Sequence, residues 1–217
     1  MFGTSKYGFL VEVMMLVPWI LSLSVHEWAH AWSAYKLGDD TASRQGRLTL
    51  NPLAHIDPIG TIIAPLLRMP IAWAKPVPVN PLRFRRDVTM KTGMMITAAA
   101  GPLSNLVLAI ALAVIWGLLM RFGVVARESG AEYFLFKTLA LNVSLLIFNF
   151  IPIPPLDGSR IVDGLLPYRL RPQWEQFQRF GFIALLALVI FGGELLRTPM
   201  IWVIKPLFAL RDVVAGV

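Results

Sequence analysis

The chain contains no cysteine, only three histidines, and few charges for its length, with 15% of its 217 residues Asp, Glu, Lys or Arg. Each shortage excludes something. Without cysteine there is no disulfide and no thiolate metal site, so a metal has to be held by imidazole, carboxylate or water. At 56% apolar residues the chain has too little polar surface for a soluble domain, and membrane insertion is the default reading. A formal charge of +7 raises nucleic acid as a partner. The basic residues, however, sit in short segments between apolar runs rather than along one face. They read as topology determinants, and no nucleic-acid partner is expected.

Four apolar runs are long enough, or nearly so, to span a bilayer: residues 9–35, 94–120, 133–151 and 180–196. Pro18 is expected to bend the first, and Gly38-Asp39-Asp40 to end it. The first run has neither a strongly basic start nor a small-residue cleavage site before a polar domain, so it reads as retained and not as a signal peptide. Thr97-Ala98-Ala99-Ala100-Gly101 opens the second with small side chains that let a neighbouring helix approach closely. Residues 200–210 are too short to span and are expected at the interface or beside the other helices.

Residues 56–74 are apolar but interrupted by Pro58, Pro65, Arg68 and Pro70, which suits a poor span or a re-entrant piece. Just before them, Gly46-Arg47-Leu48-Thr49-Leu50-Asn51-Pro52 alternates polar and apolar side chains, as a short strand at the membrane surface would. The expected fold is therefore an all-α polytopic membrane bundle, in one domain over residues 1–217, with a small membrane-associated β or re-entrant segment. Lys75, Arg83, Arg85, Arg86 and Lys91 flank the second run, and Arg160, Arg169, Arg171 and Arg179 separate the third from the fourth. Both loops are expected in the cytoplasm, with the connection over residues 121–137, both termini and Met1 on the far side.

Within the first run lies His26-Glu27-Trp28-Ala29-His30. Positions four apart share a helix face, so both imidazoles can reach one ion, with Glu27 beside them. In this H-E-x-x-H arrangement two histidines hold zinc and the glutamate takes a proton from a water acidified by the metal. A carboxylate and two imidazoles deep in an apolar helix are costly to bury without such a use. A catalytic zinc usually has three protein ligands. The candidates for the third are His55 and a few carboxylates, of which Asp157 is the better. It follows a proline-broken stretch, Asn149-Phe150-Ile151-Pro152-Ile153-Pro154-Pro155-Leu156-Asp157-Gly158, that cannot stay helical. Such irregular backbone at membrane depth has to be buried in protein or line a wet cavity. The plain alternative is a helix exit with a surface aspartate.

These two segments together resemble the site-2 proteases, the M50 family of intramembrane zinc metalloproteases, with H-E-x-x-H in one span and N-x-x-P-x-P-x-L-D-G in another. The likeness also takes in Asn51-Pro52-Leu53-Ala54-His55-Ile56-Asp57 and Gly101-Pro102-Leu103-Ser104-Asn105. The resemblance implies that His26, His30 and Asp157 bind one Zn2+, that Glu27 is the general base, and that Asn149 holds the substrate or steadies the oxyanion. It implies a multi-pass protein of the cell membrane whose substrates are transmembrane proteins. No insertion is large enough for a PDZ or CBS module, so the chain looks like a minimal catalytic core. His55 is expected to be a hydrogen-bonded structural residue and Asn105 a helix-packing one.

A helical substrate has to unwind before its peptide bonds can be attacked, and a strand edge over residues 44–51 is expected to hold it extended. Two other readings remain at this level: a membrane zinc transporter, because buried histidines and carboxylates also line ion pathways, and a catalytically silent relative that binds membrane helices.

Overall fold

The computed structural model describes residues 13–67, 69 and 72–217. The first residues of the 9–35 run, the placement of Met1, and the interrupting Arg68 and Pro70 lie outside the described residues. Helix α1 is Leu16–Lys36. Pro18 falls in its first turn, where a missing amide forfeits little. The helix stops at Gly38, whose φ of +108° carries the chain away. A side chain there would also press on the backbone of Arg83 and Arg85.

Helix α2, Met90–Arg121, begins at Thr89, whose hydroxyl accepts from the Thr92 amide. It is the centre of the fold and packs against α1, α3 (Gly130–Phe150), α4 (Asp157–Leu165) and α7 (Gly193–Ala215). Its buried residues Gly101, Asn105, Ala109, Ala113 and Trp116 recur at helical spacing, forming one stripe of mostly small side chains on which neighbours lie close. Ala109, Ala113 and Trp116 form one core with Leu139 and Val143 of α3 and Leu207 of α7. Trp19 and Leu23 of α1 form another with Ala74, Leu141 and Leu145.

By length and composition, α2 and α3 are each able to cross a membrane. A third candidate arises if Tyr168–Arg179 and Gly181–Phe191, bent 66° from each other, count as one broken span. Here α5 is Arg171–Arg179 and α6 is Gly181–Phe191. Helix α1 is not among these candidates, and its buried face carries Ser22, Ser24, His26, His30 and Ser33. The expected helix over 180–196 is divided at Gly192, where two adjacent glycines weaken it. Residues 200–210, read as a short separate stretch, lie inside the 23-residue α7, which is held against α2 and α3.

There is no strand among the described residues, which corrects the strand expected over residues 46–52 and the substrate edge built on it. Local side-chain bonds compete with strand pairing there. The Asn51 amide donates to Thr49 Oγ1, and Asn51 Oδ1 accepts from the Leu53 amide to start the turn Pro52–Ala54. The described parts of residues 56–74 are joined by backbone bonds between their two ends. After a short helical stretch from Pro58 to Leu66, the Trp73 amide donates to Gly60 O and the Lys75 amide to His55 O, at 3.1 and 3.0 Å.

Candidate active site

His26 and His30 share the inner face of α1, and both turn toward α2. The approach is close because position 101 is glycine. A Cβ there would overlap Nε2 and Cε1 of His30 and come within 2.6 Å of Nε2 of His26. Asp157 reaches the same place from the other side. The chain leaves α3 at Ile151, passes a cis Pro154–Pro155 peptide, and starts α4 at Asp157. Gly158 lies directly on the carbonyls of Phe150 and Ile151, so this doubling back has no room for a side chain.

Asp157 Oδ2 lies 3.2 Å from His26 Nε2 and 3.3 Å from His30 Nε2. One ligand atom from each residue falls within 4.8 Å of the others. The hydrogen bonds behind the imidazoles decide what these atoms offer. Thr138 O is a carbonyl and only accepts, so the Asn142 atom 3.0 Å from it is the amide nitrogen. Asn142 Oδ1 then accepts from Asn105 Nδ2 at 3.1 Å, which turns Asn105 Oδ1 to His26 Nδ1 at 2.7 Å. His26 therefore donates from Nδ1 and turns Nε2 to the cluster. His30 Nδ1 likewise donates to Thr97 O at 2.7 Å. Two imidazole Nε2 atoms and a carboxylate oxygen thus converge on one point, and with the rings neutral both Nε2 lone pairs face a cation there. Tetrahedral zinc ligands at about 2.0–2.1 Å from the metal sit roughly 3.3 Å apart, and the two Nε2 to Oδ2 separations match that spacing. The residues fit zinc.

Glu27, half-buried beside this cluster, accepts the Val77 amide on Oε2 at 2.9 Å. Asn149 stands in the last turn of α3 and donates from Nδ2 to Leu145 O at 3.0 Å, within its own helix. His55 is buried, with Nε2 donating to Thr49 O at 2.8 Å, outside the His26, His30 and Asp157 group. Asn105, read from sequence as a packing residue, instead bonds a histidine of the cluster and is completely buried. Its signal was available: a buried asparagine on a small-residue helix face needs partners. Nothing in the sequence marked Thr97, whose role is played by a backbone carbonyl, or Val77, whose role is played by an amide.

The sequence model of peptidase family M50 matches residues 117–192. YwhC of Bacillus subtilis (strain 168), which carries a zinc metalloprotease assignment, is 40% identical over 190 residues, covering 84% of each chain. The chain belongs to peptidase family M50. Rip2 of Mycolicibacterium smegmatis, with the same kind of assignment, is 30% identical over 187 residues, 83% of this chain and 68% of Rip2. A zinc metalloprotease assignment also attaches to a Thermotoga maritima protein that is 30% identical over 133 residues, 58% of this chain and 26% of the relative. No solved structure gives a significant match. Membership makes this chain a metalloprotease whose cofactor is zinc.

Proposed function

We propose that this protein cuts membrane-spanning proteins within or at the edge of the bilayer, as one catalytic domain in the cell membrane. The reading assigns His26, His30 and Asp157 to zinc, Glu27 to general base, and Asn149 to the substrate or oxyanion. The observation that supports it most is the meeting of two imidazole Nε2 atoms with a carboxylate 131 positions away from His26, while Nδ1 of each ring is bonded outward. When bound, zinc supplies Lewis acidity for the attacking water and the scissile carbonyl.

The protein's own groups do the rest. Glu27, its carboxylate fixed on one oxygen, takes the proton of the attacking water and returns it to the leaving amine. Asn105 and Thr97 O keep the Nδ1 protons of His26 and His30 outward. The apolar helices around the site, α2 and α3 above all, suit a lipid setting and a substrate that arrives as a membrane helix.

The test is metal analysis and cleavage of a membrane-helix substrate by purified protein. Glu27→Gln is expected to keep one zinc per chain and lose cleavage, whereas Asp157→Ala is expected to lose both. Near-normal cleavage by Glu27→Gln, or full zinc in Asp157→Ala, overturns the corresponding assignment.

A further inference from the structure

Between the returning segment and α2, residues 74–80 form an extended strap with no helix or strand of its own. Pro76 and Pro78 hold the backbone extended and remove two amides. The strap is tied down on several sides. The Lys75 amide donates to His55 O at 3.0 Å, the Val77 amide to Glu27 Oε2 at 2.9 Å, and the Asn80 amide to Asp39 Oδ2 at 2.6 Å. Asp39 itself is completely buried.

From the opposite side Lys75 O accepts from Arg47 Nη2 at 2.6 Å. Arg47 is only 6% exposed, and its Nε has no hydrogen-bond partner. Keeping a guanidinium buried with so little compensation is costly, so what it holds has to matter. Its charge is also felt by, and feels, that of Glu27. Arg47 thus grips the carbonyl two residues before the amide that grips Glu27.

We propose that Arg47 is a positioning residue for Glu27, acting through the strap: by fixing Lys75 O it fixes the Val77 amide, which holds one carboxylate oxygen and leaves the other for proton transfer. The inference rests on Glu27 being the base. A carboxylate without that amide samples other rotamers, and misplacement by about 1 Å is enough to cost a reaction roughly 100-fold. The prolines on either side of Val77 keep the amide from drifting, because they leave the backbone few alternatives. Substrate contacts are not what Arg47 supplies, so turnover is affected and binding is not.

The experiment compares wild type, Arg47→Ala, Arg47→Lys and Glu27→Gln in purified full-length protein. Arg47→Ala is expected to lower kcat about 10- to 100-fold with KM and zinc content unchanged. Arg47→Lys is expected to recover part of the loss, because an ammonium can still donate to Lys75 O but without the planar fork. A second readout needs no turnover. With a single cysteine at Val79 in this cysteine-free chain, maleimide labelling of the metal-free protein is expected to quicken in Arg47→Ala as the strap loosens.

Wild-type kcat in Arg47→Ala, a change confined to KM, or unchanged labelling at position 79 each overturns the proposal. If Arg47→Ala fails to fold, Arg47→Lys carries the test by the same readouts, with full wild-type values in both overturning it. Active Glu27→Gln sinks the base assignment itself, whereas inactive Glu27→Gln with fully active Arg47→Ala sinks only the role of Arg47.

Discussion

Gly101 lies against the imidazole of His30, so close that no Cβ fits between α2 and Nε2 of the ring. The metal site therefore depends on an atom that is missing from a helix carrying none of its proposed ligands.

Gly101→Ala is expected to displace His30, and His26 after it, and to abolish zinc binding and proteolysis while the helices remain. Alanine favours a helix more than glycine does, by about 1 kcal/mol, so loss of α2 is not the expected cause. Zinc stoichiometry and circular dichroism on the same sample check this. Full zinc content would mean that the ring has room the geometry does not give it.

Asn105→Leu removes the acceptor for His26 Nδ1 and the donor to Asn142 Oδ1. Loss of such an outer partner of a metal-binding histidine costs about 10- to 100-fold in affinity. Chelator competition is expected to show weakened zinc binding of that order, with the fold retained. Wild-type affinity would return Asn105 to a packing role.

Single cysteines at Ser43 and Thr89 are expected to label from the same side of the membrane. The loops that hold them are bonded together: the Arg85 amide donates to Leu37 O at 2.8 Å, and Arg83 Nη1 pairs with Asp40 at 2.6 Å. By the charge rule that side is expected to be the cytoplasm. Labelling from opposite sides would refute a returning segment over residues 56–74.

Asp40 titrates below the usual carboxylate range because Arg44 and then Arg83 donate to its charged form. A depressed folded pKa stabilises the protein above the ordinary carboxylate pKa, and that contribution disappears as pH falls through the folded value. The pair is exposed, so the effect is small and screened by salt. Thermal unfolding in acid and near neutrality is expected to show a slightly smaller pH dependence for Asp40→Asn, and high salt is expected to erase the difference. An acid sensitivity unchanged by the substitution at low salt would contradict it.

The histidines proposed as metal ligands and the glutamate proposed as base were legible as candidates because a helix places positions four apart on one face wherever it is packed. Asp157 was legible through its prolines, which exclude a continuing helix. The short strand was misread because alternation over residues 46–52 says nothing about whether a partner strand exists, and Thr49 and Asn51 used their side chains on nearby amides instead. The helix over 180–196 was misplaced for a related reason. Hydropathy marks apolar runs, but it does not show the break at the two glycines 192 and 193, nor that residues 200–210 belong to the longer α7, which packs against α2 and α3.

By itself, the sequence determined the apolar class of the chain, the ligand types open to a metal, the positions of α1, α2 and α3, and the pair of motifs proposed to carry the chemistry. These depend on composition and on contacts a few residues apart. Only the tertiary structure decided that Asp157 meets His26, that Thr138 O orients His26 through two asparagines, and that an amide from the strap holds Glu27. Those relations join residues far apart in the chain through backbone groups that every residue carries, so no side-chain pattern announces them.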